Sequence, residues 1–335
     1  MSKSDYADTW KGSAMSRTVS VLALVAVMGG ATFAAAGQSA GGDIVAAVRA
    51  AVAAKDLARG DALVRQFQSA HGVTPEGIEA LSWLGRGALA MKEFDKADRY
   101  ATETHGFAVA ALKTLKLAEN ARLQTALGAA IETEALVRVE RGARSDAVYF
   151  LRQKIETYRN TAIHKRLLKN LNLLSLEGQP APPLEVTEYL GRRVPTFAEL
   201  KGSTVLLFFW AHWCSDCKAQ SPILGKLLDK YRAQGLVVVA PTQRFGYTPT
   251  SQSASPAEEL RHIVRVRDTS YGFLRDQPVP VSEANHRNYG VSSTPTLVLV
   301  DRDGLVRLYH PGQMTEAELE AEIVKLLPAA RGARP

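Results

Sequence analysis

From Asp43 to Leu174 apolar residues recur at three- and four-residue spacing among Ala, Leu, Glu, Lys and Arg, and Pro75 is the one proline. That pattern predicts an all-helical stretch. Within it Leu81, Leu84, Gly85, Ala88, Phe94 and Ala97 follow a helix-turn-helix spacing, with small residues where paired helices approach closely. Leu127, Gly128 and Ile131 restart the pattern, and Gly142 to Phe150 supply its second helix after an insertion. Trp83, Phe94 and Tyr100 read as core.

Ser175 to Pro183 interrupts the helical pattern with three prolines and a glycine, and reads as a linker at residues 175–183. Beyond it the periodicity changes. Leu184 to Tyr189 and the apolar, β-branched and aromatic run Thr204 to Trp210 read as strands. An amphipathic helix from Cys214 to about Arg232 and a strand at Leu236 to Ala240 follow, which implies a βαβ unit with a parallel pair. Between Pro241 and Asn288 lies an insertion rich in Thr, Ser, Gln and Pro, with a helix from about Pro256; the aromatics of its first segment, Phe245 and Tyr247, read as a loop packed on the sheet, with lining of a groove near Cys214 as the alternative. Thr296 to Val300 and Leu305 to Tyr309 flank the hairpin turn Asp301-Arg302-Asp303-Gly304. Thr315 and Glu318 form a capping box for a last helix ending near Leu327. The expected domains are therefore 43–174, all-helical, and 184–328, α/β with a central mixed sheet flanked by helices, then a tail at 329–335.

At the other end, Thr18 to Ala36 is apolar or small, follows Arg17 and finishes in Phe33-Ala34-Ala35-Ala36-Gly37. Residues 1–36 read as a signal peptide, with Met15 as an alternative start. Uncleaved, the same segment would anchor the chain in a membrane. Either outcome puts the folded part outside the cytoplasm, periplasmic or secreted, where disulfides persist.

The chain has 335 residues, 41 Lys and Arg against 34 Asp and Glu, and a formal charge of +7. Losing the signal removes Lys3, Lys11, Arg17, Asp5 and Asp8, so the charge falls only to +6. The densest basic segment, Arg159 to Lys169, is interleaved with leucines and reads as a solvated helix face; no nucleic-acid motif accompanies it. Two cysteines exclude a disulfide scaffold and a four-cysteine metal site. Those two are Cys214 and Cys217. Cys214 stands where a buried strand meets a helix N-terminus, whose unpaired N–H groups and dipole stabilise a thiolate. Cys217, one turn on, is placed to resolve a mixed disulfide.

The segment Phe209-Trp210-Ala211-His212-Trp213-Cys214-Ser215-Asp216-Cys217-Lys218, with Pro222, Ser293-Thr294-Pro295-Thr296, the Asp301 turn and the leader Pro182-Pro183-Leu184 with Leu200-Lys201-Gly202, resembles thioredoxin-fold proteins, and more closely TlpA/ResA-like thiol:disulfide oxidoreductases of the bacterial envelope. The resemblance covers about Pro180 to Leu327. It implies a thioredoxin-like fold in which Cys214 attacks, Cys217 resolves, and Trp210, Trp213, Thr294 and Pro295 frame the site, with a cis bond before Pro295. It implies protein thiols and disulfides as partners, an unidentified electron-donor protein, and no cofactor. The helical stretch resembles tetratricopeptide repeats, which stack into arrays and offer a surface to a protein partner; a generic helical bundle fits the same spacing.

Two positions depart from that family. Thioredoxins carry a buried acid six residues before the first cysteine, where this chain has Phe208; ResA-like members often have a glutamate three residues after the second, where it has Gln220. Asp216, between the cysteines, raises thiolate pKa and favours a reducing poise, and His212 acts oppositely when protonated, although both read first as exposed turn residues. The other histidines form no cluster. Haem attachment is excluded by Lys218 after the second cysteine, and His212 with Cys214 and Cys217 falls short of a zinc set. Ala211 stands where a peroxiredoxin has Thr or Ser, which leaves peroxidase activity the weaker enzymatic alternative. The alternative from another class is a helical adaptor whose thioredoxin-like domain binds without turnover.

Overall fold

The computed structural model describes residues 43–328; the expected signal segment and tail lie outside them. Side-chain caps open the first helices: Asp43 for α1 (Ile44–Ala53), Asp56 for α2 (Leu57–His71) and Thr74 for α3 (Pro75–Ala90), where Pro75 stands in the first turn, a place at which its missing N–H costs no helix bond. There follow α4 (Phe94–Ala111), α5 (Ala121–Glu140) under its Asn120 cap, α6 (Arg144–Thr157) and α7 (His164–Ser175). The turns α1–α2, α3–α4 and α5–α6 share one geometry. Lys55, Lys92 and Gly142 have φ of 59°, 60° and 82°. In each turn the next residue donates its N–H five residues back, Asp56 to Ala51, Glu93 to Ala88 and Ala143 to Arg138, which closes the helix end with a left-handed residue. Sequence spacing indicated two helix pairs; the repeated turn reveals a third, α1–α2.

Leu81, Leu84, Ala88, Ala97 and Tyr100 are core, as expected, while Phe94 is half-buried against them. Trp83 is also only half-buried, between the guanidinium groups of Arg49 and Arg86 at 4.7 and 4.1 Å from its ring centroid. The basic segment on α7 is not a simple solvated face. Arg166 donates to Glu132 of α5 through Nε (2.8 Å) and Nη2 (2.5 Å), and Lys169 reaches the same carboxylate at 3.4 Å. Burial would raise the Glu132 pKa, but Lys169, Arg166 and Arg86 outweigh it and hold the carboxyl well below its usual range.

The second part contains β1 (Tyr189–Gly191), β2 (Thr204–Phe209), α8 (Ser215–Tyr231), β3 (Leu236–Val239), α9 (Pro256–Ser270), β4 (Pro278–Pro280), α10 (Glu283–Asn288), β5 (Thr296–Val300), β6 (Val306–Pro311) and α11 (Glu316–Leu326). The main sheet has the order β3-β2-β5-β6, with β2 and β3 parallel and the other pairs antiparallel. This is the thioredoxin-like fold that the motifs imply. Strand β2 is buried throughout and apolar after Thr204, because both faces are covered. Leu206 and Phe208 enter one core with residues of α8, α9 and α11, whereas Val205, Leu207 and Phe209 enter a second with Tyr289, Tyr309, Leu173 and Leu176. The expected capping box Thr315/Glu318 forms, and Ser255/Glu258 makes a second one at the start of α9.

The expected strand at Leu184–Tyr189 is displaced. Only Tyr189–Gly191 pairs, with β4. Upstream, Glu185 spends its backbone groups on a side chain: its N–H donates to Asn285 Oδ1 (2.7 Å) and its carbonyl accepts from Asn285 Nδ2 (2.9 Å). An amide one hundred residues away thus replaces a partner strand. The proline-rich segment is likewise held in place, since Gly178 and Ala181 donate to Val306 and Gly304 and Val306 donates to Gln179.

Helix α7 joins the helical part to the sheet. Asn172 Nδ2 donates to the Tyr289 carbonyl (2.9 Å), which Tyr309 Oη also reaches (2.8 Å). The following residue, Gly290, has φ of 63° and lies so close to α7 that a Cβ there would stand 2.6 Å from the Lys169 nitrogen. A Gly290→Ala variant should therefore lose about 2–4 kcal/mol from left-handed strain and overpacking together. Chemical denaturation would measure it, and an unchanged midpoint would show that α7 yields freely at this contact.

Candidate active site

Strand β2 delivers the site through a fixed corner. Beyond its last residue, Trp210 is fully buried, its Nε1–H donating to Ala240 O (3.1 Å) while its own carbonyl accepts from Thr242 Oγ1 (2.9 Å). These bonds tie the exit of β2 to the exit of β3. Tyr271 packs against Trp210 at 4.6 Å between ring centroids, and burial raises its phenol pKa far above the usual value.

Cys214 is the N-cap of α8 and is joined to Cys217 by a disulfide. Its Sγ accepts the Cys217 N–H at 3.0 Å, so one orphan donor of the helix start already points at sulfur. Cys214 is 4% exposed and Cys217 is fully buried, while Trp213 beside them is 37% exposed. Cys214 Sγ also lies 3.4 Å from the Thr294 carbonyl, and the Thr294–Pro295 bond is cis. The structure thus gathers Trp210, Trp213, Cys214, Cys217, Thr294 and Pro295, residues up to 85 positions apart, as the resemblance implies.

Asp216, Gln220 and His212, the candidate modulators of the thiol pKa, have different surroundings. Asp216 is half-buried in the first turn, and its carbonyl accepts from Gln313 Nε2 (2.9 Å). Gln220 is buried, with Oε1 accepting the Met314 N–H (2.9 Å); it is a neutral tether for the chain after β6. His212 is not an exposed turn residue. It is 1% exposed, and Nε2 lies 3.1 Å from Glu259 Oε1 of α9, itself 1% exposed. Burial lowers the His212 pKa, and the bond to Glu259 only partly opposes that. Facing a carboxylate oxygen, Nε2 is the donor of this bond.

The histidines are also less scattered than the sequence suggested. The His262 ring lies 4.9 Å from His212, and His286 meets Phe209 edge-on at 5.4 Å. Among the described residues, no three His, Cys, Asp or Glu side chains gather as a metal ion would require.

Glu259 escaped the sequence reading. Its signal was available: Glu259, Ile263 and Val266 lie at helical spacing and form the buried stripe of α9, so a carboxylate stands in an apolar row. Phe245, in the segment whose aromatics read as packing on the sheet or lining a groove near Cys214, is partly buried and meets Trp213 edge-on at 5.5 Å.

A family model described as a thioredoxin-like domain matches residues 196–327. The thioredoxin-like protein YneN of Bacillus subtilis is 31% identical over 147 residues, 44% of this chain and 78% of that protein. The thiol-disulfide oxidoreductase ResA of Bacillus anthracis is 28% identical over 151 residues, 45% of this chain and 79% of its own length. Among solved structures, a thiol:disulfide interchange protein of the thioredoxin family from Chlorobium tepidum is 20% identical, with a TM-score of 0.36, covering 45% of this chain and 97% of that one.

The core behind the site carries a pH liability. Burial pushes the His286 pKa down to about 3, and Lys165 adds to the shift. The unfolded chain binds that proton below about pH 6.5 and the native chain does not, so stability declines as pH falls from there toward 3. In His286→Gln the acid limb of stability should flatten by up to about 1.4 kcal/mol per pH unit. Urea unfolding from pH 6.5 to 4 would read this; a slope equal to that of the parent would remove His286 as its source.

Proposed function

We propose, for a chain that belongs to the TlpA/ResA-like thiol-disulfide oxidoreductases of thioredoxin-like fold, that it reduces protein disulfides outside the cytoplasm through Cys214 and Cys217. The observation that carries this reading is the position of Cys214 Sγ, which caps α8 and accepts the Cys217 N–H at 3.0 Å. A sulfur so placed is stabilised as a thiolate by the N–H groups and dipole of the helix start.

In the reduced protein the Cys214 thiolate attacks one sulfur of a substrate disulfide. A mixed disulfide forms and the first substrate thiolate leaves. Cys217 then gives up its proton and attacks Cys214 Sγ, expelling the second substrate sulfur, which takes up a proton. Two electrons have passed to the substrate, and the protein is left with the Cys214–Cys217 disulfide of the structure. A dithiol donor protein restores the reduced pair by the reverse exchange.

The half-buried Asp216 between the cysteines supports a reducing direction, because a nearby negative charge raises thiolate energy. Export rests on the apolar segment Thr18 to Ala36, outside the described residues. The face of the helical part is a candidate surface for a protein partner.

Cys217→Ser should accumulate a covalent complex with a disulfide-bonded protein substrate, because Cys214 still attacks and nothing resolves the product. Cys214→Ser should form none, since Cys217 is buried. Non-reducing electrophoresis after incubation distinguishes them; no adduct from Cys217→Ser with any protein disulfide would replace the oxidoreductase reading with that of a binding module.

A further inference from the structure

Three donors converge on the buried carboxylate of Glu259. Oε1 accepts from His212 Nε2 (3.1 Å) and the Phe245 N–H (2.5 Å), and Oε2 accepts from the Gly246 N–H (2.8 Å). One end of this clasp is the residue two before Cys214; the other is the backbone of the loop after β3. Around it the rings are packed edge-on: Phe245 lies 5.5 Å from His212 and 5.5 Å from Trp213, and Tyr247 lies 5.6 Å from His212. Phe245 is only partly buried and Trp213 is 37% exposed, so the pair presents an apolar edge beside the disulfide.

We propose that Glu259 is a positioning residue for disulfide exchange: by clasping His212 and the Phe245–Gly246 backbone it sets Phe245 against Trp213, and the two rings form the wall on which the substrate segment flanking the target cysteine packs. This rests on the oxidoreductase reading and adds the substrate class, an extended peptide with an apolar residue next to its cysteine. A charged carboxylate suits the clasp because all three of its partners are donors. A glutamine would turn its own N–H₂ toward one of them. Loosening the clasp frees the loop while leaving both sulfurs where strand β2 and the start of α8 put them.

The test compares kcat/KM for a disulfide-bonded peptide carrying leucine beside each cysteine with kcat/KM for hydroxyethyl disulfide, which has no flanking residue to bind. The ratio of the two should fall about tenfold in Phe245→Ala, the scale of one apolar contact in a binding site, and recover in Phe245→Tyr. Glu259→Gln should lower the same ratio, and the double variant should fall no further than Phe245→Ala alone, because Glu259 acts through that ring. If Glu259→Gln does not fold, Glu259→Asp, which keeps the charge and shortens the reach, takes its place in the cycle. A ratio unchanged in Phe245→Ala, equal losses on both substrates, or additive effects of the two substitutions would each overturn the proposal. Wild-type protein that exchanges with neither substrate would instead overturn the oxidoreductase reading on which it rests.

Discussion

The bond from the Cys217 N–H to Cys214 Sγ is the interaction around which the second half of the chain is organised. It requires a sulfur at the N-cap of a helix, and a helix N-terminus held still against a strand end. Strand β2 meets that demand by being buried on both faces, and Trp210 by closing the strand exit onto Ala240 and Thr242. With those anchors the first turn of α8 has little freedom. Gln220 and Gln313 then fasten the chain after β6 to the same helix by neutral hydrogen bonds, and Lys230 of α8 pairs with Glu320 of α11.

The electrostatics near the cysteines follow from what stands in two positions. Phe208 replaces a buried acid and packs toward Tyr271, and Gln220 replaces a glutamate; neither can take a proton. The buried acid of this region comes from the inserted helix α9 instead. Glu259 spends its charge on His212 and on two loop N–H groups, which makes it a fastening point. His212 is drawn into this clasp, with Nε2 against Glu259 and burial lowering its pKa. Asp216 is left as the charged side chain between the two cysteines.

What could be read from the chain was what depends on near neighbours. The apolar run of β2, the spacing of Cys214 and Cys217, the Thr294-Pro295 pair and the Thr315/Glu318 capping box each carry their signal within a few residues. What could not be read depends on distant partners. Glu185 pairs with Asn285, Arg166 with Glu132 and His212 with Glu259, and no local pattern announces an amide that takes the place of a strand or an acid that buries a histidine. The repeated helical turn lies between these cases: Gly142 marks it openly, whereas Lys55 and Lys92 adopt the same left-handed geometry under residues that do not advertise it.

In the function proposed for this chain, the start of α8 makes Cys214 the reactive thiolate of the pair. The pH dependence of iodoacetamide labelling in the reduced native protein, followed separately at each cysteine by peptide mass spectrometry, tests it directly. Cys214 should label with a midpoint well below the value of about 8.5 for a free thiol, while Cys217 stays protected until the protein is unfolded. A Cys214 midpoint at or above about 8.5, or equal labelling of the two cysteines in the native state, would show that the helix start does not activate Cys214.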